Sequence, residues 1–306
     1  MKRKVIQIAD STQLVSLPRK WAQSHNILKG DELEVTEQGN HVIISTEKDV
    51  SAPSISIDVS QLSFKVVKWL IVALYKSGYD EIEVKFENPE TTKAIQDMIS
   101  EVLGFVIIEQ TDKRCVIKNI SKGIEEEFDS TLRRNFLVVL SLSKSTFDMF
   151  KDGNYRNMPD VAKLEKTNNQ LTSFCHRILN TRGFKDPKKT SYVYVIIKLM
   201  EGVADKYRDI CNYFAEPKNK NYKPGKRIIG IFSEANSLVE TFYHLFYKFE
   251  DIKIVEITEK KKKIMEESYR IMAESKKEAD IFVTNCIMGI TNGIADTIGS
   301  YLGLNF

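Results

Sequence analysis

The chain has 306 residues, with 45 Lys and Arg, 42 Asp and Glu and a formal net charge of +3. That length is too great for one small core and leads to two or three domains, while so small a net charge excludes a uniformly polycationic or polyanionic chain and moves the question to how charge is distributed. The four cysteines, Cys115, Cys175, Cys211 and Cys286, form no CxxC pair, which excludes a zinc knuckle or a secreted disulfide framework and points to reduced thiols in a cytoplasmic protein. No apolar h-region follows the charged N-terminus, and the longest apolar run, Trp69 to Tyr75, is far shorter than a bilayer. Neither a signal peptide nor membrane insertion is expected.

In chain order, residues 3–8 alternate as a strand and Leu14 to Leu17 form a second short apolar run. Pro18 suits the first turn of a short helix to His25, with Asn26 and Gly30 bracketing its exit. Residues 32–36 and 41–45 are two strands joined by Glu37-Gln38-Gly39-Asn40, a hairpin. Charge in this segment is sorted. The first twenty residues hold Lys2, Arg3, Lys4, Arg19 and Lys20 against Asp10, and most acids follow from Asp31 to Asp49. About fifty residues with so little apolar material bury little core alone, so a second copy is the expected partner.

Residues 50–57 read as a linker or edge strand, and 60–77 as a helix with Leu62, Val66, Trp69, Leu70 and Ala73 on one face. A strand at 80–86, a helix at 90–102 and strands at Phe105 to Glu109 and Arg114 to Ile120 complete a small α/β unit. Beyond Lys122 strand signals fade. Residues 124–151, 158–182 and 190–216 predict three long helices, and 228–250, 256–278 and 279–302 three more. Residues 217–227, with five basic residues, no acid, two prolines and a glycine, read as a linker.

The last helix of each set carries a similar phrase. Glu201-Gly202-Val203-Ala204-Asp205 matches Asn292-Gly293-Ile294-Ala295-Asp296, 91 residues later. In register with the helices, this predicts two related antiparallel three-helix bundles packed side by side. Glu201, Asp205 and Asp209 follow at i, i+4 and i+8, each step turning only about 40° around the helix. Such a stripe calls for a divalent or trivalent cation or for basic neighbours, and Glu165, with Asn168 and Asn169, is placed to face the same groove. Lys206 and Arg208 supply the basic alternative.

Two resemblances follow from these residues. Val15-Ser16-Leu17-Pro18, Trp21 and Leu28-Lys29-Gly30-Asp31-Glu32-Leu33-Glu34-Val35, in that order and spacing, resemble the AbrB/SpoVT family of swapped-hairpin DNA-binding domains over residues 1 to about 48. The resemblance implies an interleaved homodimer with Lys2, Arg3, Lys4, Arg19 and Lys20 against the DNA backbone, and Trp21 in the core. Residues 122–306 resemble PhoU, a family of paired three-helix bundles that regulates phosphate uptake and binds metal through E/D-x-x-x-D motifs. Glu201-x-x-x-Asp205 matches that motif, whereas the second bundle has Asn292 in place of the first acid and keeps only Asp296.

The expected fold is therefore multi-domain: a β-rich swapped-hairpin head (1–48), a small α/β unit (50–120) and two antiparallel three-helix bundles (122–216 and 228–306). The metal candidates are Glu165, Glu201, Asp205, Asp209 and Asp296. The four histidines have no metal-ligand spacing, the run Lys260 to Lys263 reads as a solvated face, and no phosphate loop or nucleophile motif occurs. The function expected is a non-enzymatic DNA-binding transcriptional regulator of phosphate uptake. Its alternative is an adaptor acting on a phosphate transporter component or a kinase, with the head used only for dimerisation.

Overall fold

The computed structural model describes residues 2–8, 12–38, 41–46, 53–120 and 127–306. Two compact units divide the chain, at 1–54 and 55–306. In the first, β1 (Ile6–Ile8) pairs antiparallel with β2 (Thr12–Leu14), placing Ile6 opposite Leu14. The second strand is thus earlier than Leu14 to Leu17, and Val15 to Leu17 lead instead into α1 (Arg19–Ser24), whose N-cap is Pro18. Asn26 and Gly30, at the predicted exit, have φ of 50° and 94°, the left-handed region that glycine and asparagine tolerate best. Asp31 braces this turn by accepting the Leu28 amide at 2.5 Å.

β3 (Glu34–Gln38) and β4 (His41–Ser45) pair antiparallel, with Glu34 opposite Ser45 and Gln38 opposite His41. The intervening Gly39 and Asn40 of the expected turn lie outside the described residues. Because side chains alternate along a strand, this register puts Val35, Val42 and Ile44 on one face; Ile6, Ile8 and Leu14 share a face of the other hairpin in the same way. Val35 and Val42 are 60% and 64% exposed, and no described residue of this unit is buried. Among the described residues nothing covers these two hairpin faces, the second of which also carries Glu37.

The second unit begins with a four-stranded sheet of β5 (Ser54–Asp58), β6 (Glu81–Lys85), β7 (Phe105–Gln110) and β8 (Arg114–Asn119), in spatial order β5-β6-β8-β7. Ile82 and Val84 of β6 and Cys115 and Ile117 of β8 point into a core completed by helices α2 (Phe64–Lys76) and α3 (Thr91–Ile99). On the β6–β8 ladder Arg114 bridges Glu83 at 2.5 Å and Glu109 of β7 at 2.7 Å. α2 buries Val67, Ile71 and Tyr75, not the face expected from sequence: Trp69 is 62% exposed, and Leu62, Val66 and Ala73 are also exposed. Apolar residues occupy most of this helix's circumference, so periodicity could not select between two apolar faces.

The remaining chain forms α4 (Phe128–Asp152), α5 (Met158–Ala162), α6 (Leu164–Arg182), α7 (Thr190–Ala215), α8 (Lys226–Tyr247), α9 (Asp251–Glu274) and α10 (Glu278–Asn305). The expected helix at 158–182 is broken at Lys163, and α9 begins five residues before position 256. Residues 124–126 of the first expected helix lie outside the described residues. The two bundles share one continuous core running from Leu132 to Tyr301. α7 and α10 pack antiparallel through it: a Cβ at Gly293 would stand 2.7 Å from Val203, and one at Gly303 would stand 2.5 Å from the Tyr192 ring. α10 is long and apolar enough by composition to cross a bilayer, but half of its apolar window is buried in this core.

Residues 217–227 are not a loose linker. Pro217–Asn219 form a 3-10 turn, and Asn219 Nδ2 donates to the Tyr213 carbonyl at 2.7 Å. Tyr222 inserts among Phe150 and Phe214, donates its hydroxyl to Asp280 at 2.6 Å and accepts the Tyr155 hydroxyl on its carbonyl at 3.0 Å. Aromatic contacts of this kind each add about 0.5–1.5 kcal/mol beyond area burial.

The sheet is fastened to the helices by Arg177 of α6, which is 5% exposed. Its guanidinium donates to the carbonyls of Tyr75 (2.7 Å), Tyr79 (2.9 Å) and Gly78 (3.3 Å) and to Asp80 Oδ1 (2.5 Å). It also lies 5.2 Å from the Tyr75 ring centre and 5.6 Å from that of Phe105. The end of α2 and the turn after it present carbonyls to α6, and a planar five-donor cation is well suited to gather them. Gly78, at φ 95° beneath Thr181, provides the reversal that exposes those carbonyls to α6.

Candidate functional site

The head presents the first candidate. Lys2, Arg3 and Lys4 precede β1, and Arg19 and Lys20 open α1. All five are exposed, and none is ion-paired with a described residue. Cations with no described ion partner can neutralise phosphates and release counter-ions. Glu34 and Glu37 stand on the second hairpin, Glu34 accepting a long 3.4 Å bond from Ser45. Trp21, expected in the core, is only half-buried and packs on His25 at the end of its own helix, ring centres 4.9 Å apart.

The second candidate is the carboxylate stripe of α7, which the structure divides. Glu201 pairs with Lys198 at 2.7 Å. Asp205 and Asp209 instead meet Arg208. Its Nη1 donates to Asp205 Oδ1 at 2.5 Å and, across the helix interface, to Glu165 Oε1 of α6 at 2.6 Å. Nη2 and Nε reach Asp209 Oδ1 at 2.9 and 3.3 Å. Glu165 is 5% exposed and also accepts from Asn169 Nδ2 at 2.7 Å. Partial burial, with Glu165 and Asp209 alongside, pushes the Asp205 carboxyl up against the opposing pull of Arg208. Burial tends to lower the Arg208 pKa, but its bond to Asp209 and the charges of Asp205 and Glu165 prevail and raise it.

Asn168, expected in the same groove, faces the other way. Its amide donates to Asn135 of α4, and Asn135 donates to Thr172 at 2.9 Å, forming a buried polar link between α4 and α6. Asp296 of α10 is exposed and is not gathered with the α7 acids. Among the described residues no three His, Cys, Asp or Glu side chains converge to hold a metal ion. The donor set as folded does not fit one: Glu165 and Asp205 both direct an oxygen at the same guanidinium nitrogen, in the space a cation would need.

Sequence reasoning missed Arg177 and His176, neighbours on α6. His176 is buried, stacked on Tyr194 with ring centres 3.7 Å apart, and its Nε2 meets the Tyr194 carbonyl at 3.2 Å. Burial and the nearby charge of Lys76 push its pKa down to about 3. The only available signal was His-Arg inside an apolar helical stretch, where ionisable residues are scarce unless paired. All four cysteines are free and buried, and burial raises Cys115 and Cys211 to about 11 and Cys175 and Cys286 to about 12.

With this geometry in view, residues 6–51 match the family model described as antidote-toxin recognition MazE, bacterial antitoxin. A comparison with curated protein sequences gives no match. Among solved structures, the fold is similar to the crystal structure of the phosphate transport system regulatory protein PhoU from Streptococcus pneumoniae. The TM-score is 0.50 at 13% identity, covering 59% of this chain and 94% of that one. The helical body thus has a PhoU-like fold, and residues 6–51 of the head are similar to a MazE-type antitoxin domain.

Proposed function

We propose that this chain is a cytoplasmic, non-enzymatic DNA-binding regulator of phosphate uptake that works as a homodimer. The observation that carries the reading is in the head. A segment matching an antitoxin family model holds five exposed cations free of described ion pairs, beside two largely apolar hairpin faces that no described residue covers. Pairing with a second copy would cover those faces and double the cationic surface, which is the electrostatic requirement for gripping a duplex. The phosphate assignment rests on the helical body, whose fold is shared with a protein named as a phosphate transport system regulator. Lys2, Arg3, Lys4, Arg19 and Lys20 are the proposed phosphate contacts.

The same likeness favours a second reading, an adaptor that acts on a phosphate transporter component, its head serving only to dimerise. Duplex DNA titrated at several salt concentrations separates the two. The regulator binds with an affinity that falls steeply as salt rises; the adaptor shows no salt-dependent binding.

A further inference from the structure

The structure assigns Arg208 the part of a built-in counter-ion: its guanidinium stands where a bound cation would join α6 to α7, so the helical body assembles without a divalent metal. Carboxylates of Glu165, Asp205 and Asp209, from two helices, surround this one guanidinium on different nitrogens, and Glu165 is almost fully buried. Left alone they would repel, and a buried unpaired carboxylate is strongly disfavoured. A hard cation would answer this with oxygens gathered about 2.0–2.6 Å from one point. Here that point is taken. Nη1 is held between Glu165 and Asp205 at 2.6 and 2.5 Å, while Nη2 and Nε turn to Asp209. The planar fork lets one residue serve three acids in different directions, which a lysine could not do.

Two further cations remove what a metal would otherwise neutralise. Lys198 takes Glu201, and Lys206 reaches to 3.9 Å from Asp209. The alkyl chain of Lys206 passes over α10 at Gly289, where an added Cβ would come within 3.0 Å of it. That glycine lets the lysine cross the α7–α10 seam.

The test uses the full chain. After dialysis, elemental analysis of the parent should find well under one manganese, zinc, iron or magnesium ion per chain, and Tm should not move with millimolar Mn2+, Mg2+ or EDTA. Arg208→Met, which keeps side-chain length without charge, should lower Tm by roughly 5 °C or more, and Arg208→Lys should recover part of that loss. A parent that retains about one metal ion per chain, and loses it on Asp205→Asn, would overturn the assignment. An Arg208→Met chain as stable as the parent would do the same. If Arg208→Met is too unstable to purify, that is itself the expected loss, and the parent's metal content and its response to EDTA then decide.

Discussion

Replacing Arg177 with methionine should separate the stability of the sheet from that of the helices. The side chain is almost wholly buried and donates four hydrogen bonds, to the Tyr75 carbonyl near the end of α2, to the Gly78 and Tyr79 carbonyls of the turn after it, and to Asp80. Methionine fills similar volume, so the loss is polar. Removing one partner of a buried ion pair costs about 3–5 kcal/mol, and each stranded acceptor about 1–3 kcal/mol. The Asp80 side chain is partly open to water and also accepts from Asn119 at 3.0 Å, which relieves part of the penalty. About 3–4 kcal/mol is the resulting expectation, a large share of a typical folding stability of roughly 5–15 kcal/mol. The chain has two tryptophans, Trp21 in the head and Trp69 on α2. In a Trp21→Phe background, Trp69 fluorescence follows the sheet unit while far-UV ellipticity follows mainly the helices. Urea unfolding of the parent should give coincident transitions. Arg177→Met should move the fluorescence transition to lower urea, ahead of the ellipticity. Two curves that stay coincident, within about 0.5 kcal/mol of the parent, would show that Arg177 does not fasten the two layers.

Other outcomes follow from single features. The full chain should sediment as a dimer at micromolar concentration, and Val35→Glu with Val42→Glu, which charges one open hairpin face, should yield monomer; a parent that is already monomeric refutes the pairing. His176, held neutral by burial and pushed down to about 3 from 6.5, leaves the unfolded chain to take up a proton that the folded chain refuses. Its contribution is complete above about pH 6.5 and is lost as pH falls toward 3, by about 1.4 kcal/mol per pH unit. The pH slope of stability between roughly pH 6 and 4 should therefore flatten in His176→Phe, and an unchanged slope would locate the titration elsewhere. Gly293→Ala should destabilise by about 1–3 kcal/mol through its contact with Val203. Gly202→Ala, with nothing within 4 Å, should be neutral or stabilising by up to about 1 kcal/mol, and equal effects at both sites would contradict the α7–α10 packing. The four buried thiols should react with a thiol reagent only on unfolding, and rapid labelling of the native chain would be inconsistent with their raised pKa values.

The order of elements was legible because each long helix and most strands carry a clear period, and because Pro18, Gly30, Gly78 and Gly183 punctuate it. The repeat phrase around Gly202 and Gly293 likewise placed α7 and α10 as matching helices. What misled was local pattern without its tertiary partner. α2 is apolar nearly all round, so only packing of Val67, Ile71 and Tyr75 onto the sheet and α3 decides which side is buried. The basic run at 217–227 has the composition of a linker, yet one residue, Tyr222, pins it into an aromatic core. Of the α7 acids, Asp205 and Asp209 share Arg208 with Glu165 while Glu201 pairs with Lys198, because spacing is silent on rotamers. Whether a cation or Arg208 fills the centre depends on a side chain between Asp205 and Asp209 whose direction only packing fixes.

The central claim, that the head grips DNA through its exposed cations, is tested most directly by titrating duplex DNA with the parent and with Arg3→Ala/Lys4→Ala at several salt concentrations. The account predicts salt-dependent binding by the parent, and for the double variant weaker binding with a log–log salt slope shallower by about two units, one for each phosphate no longer neutralised. Equal, weak and salt-independent binding by both would contradict it and leave the adaptor reading in its place.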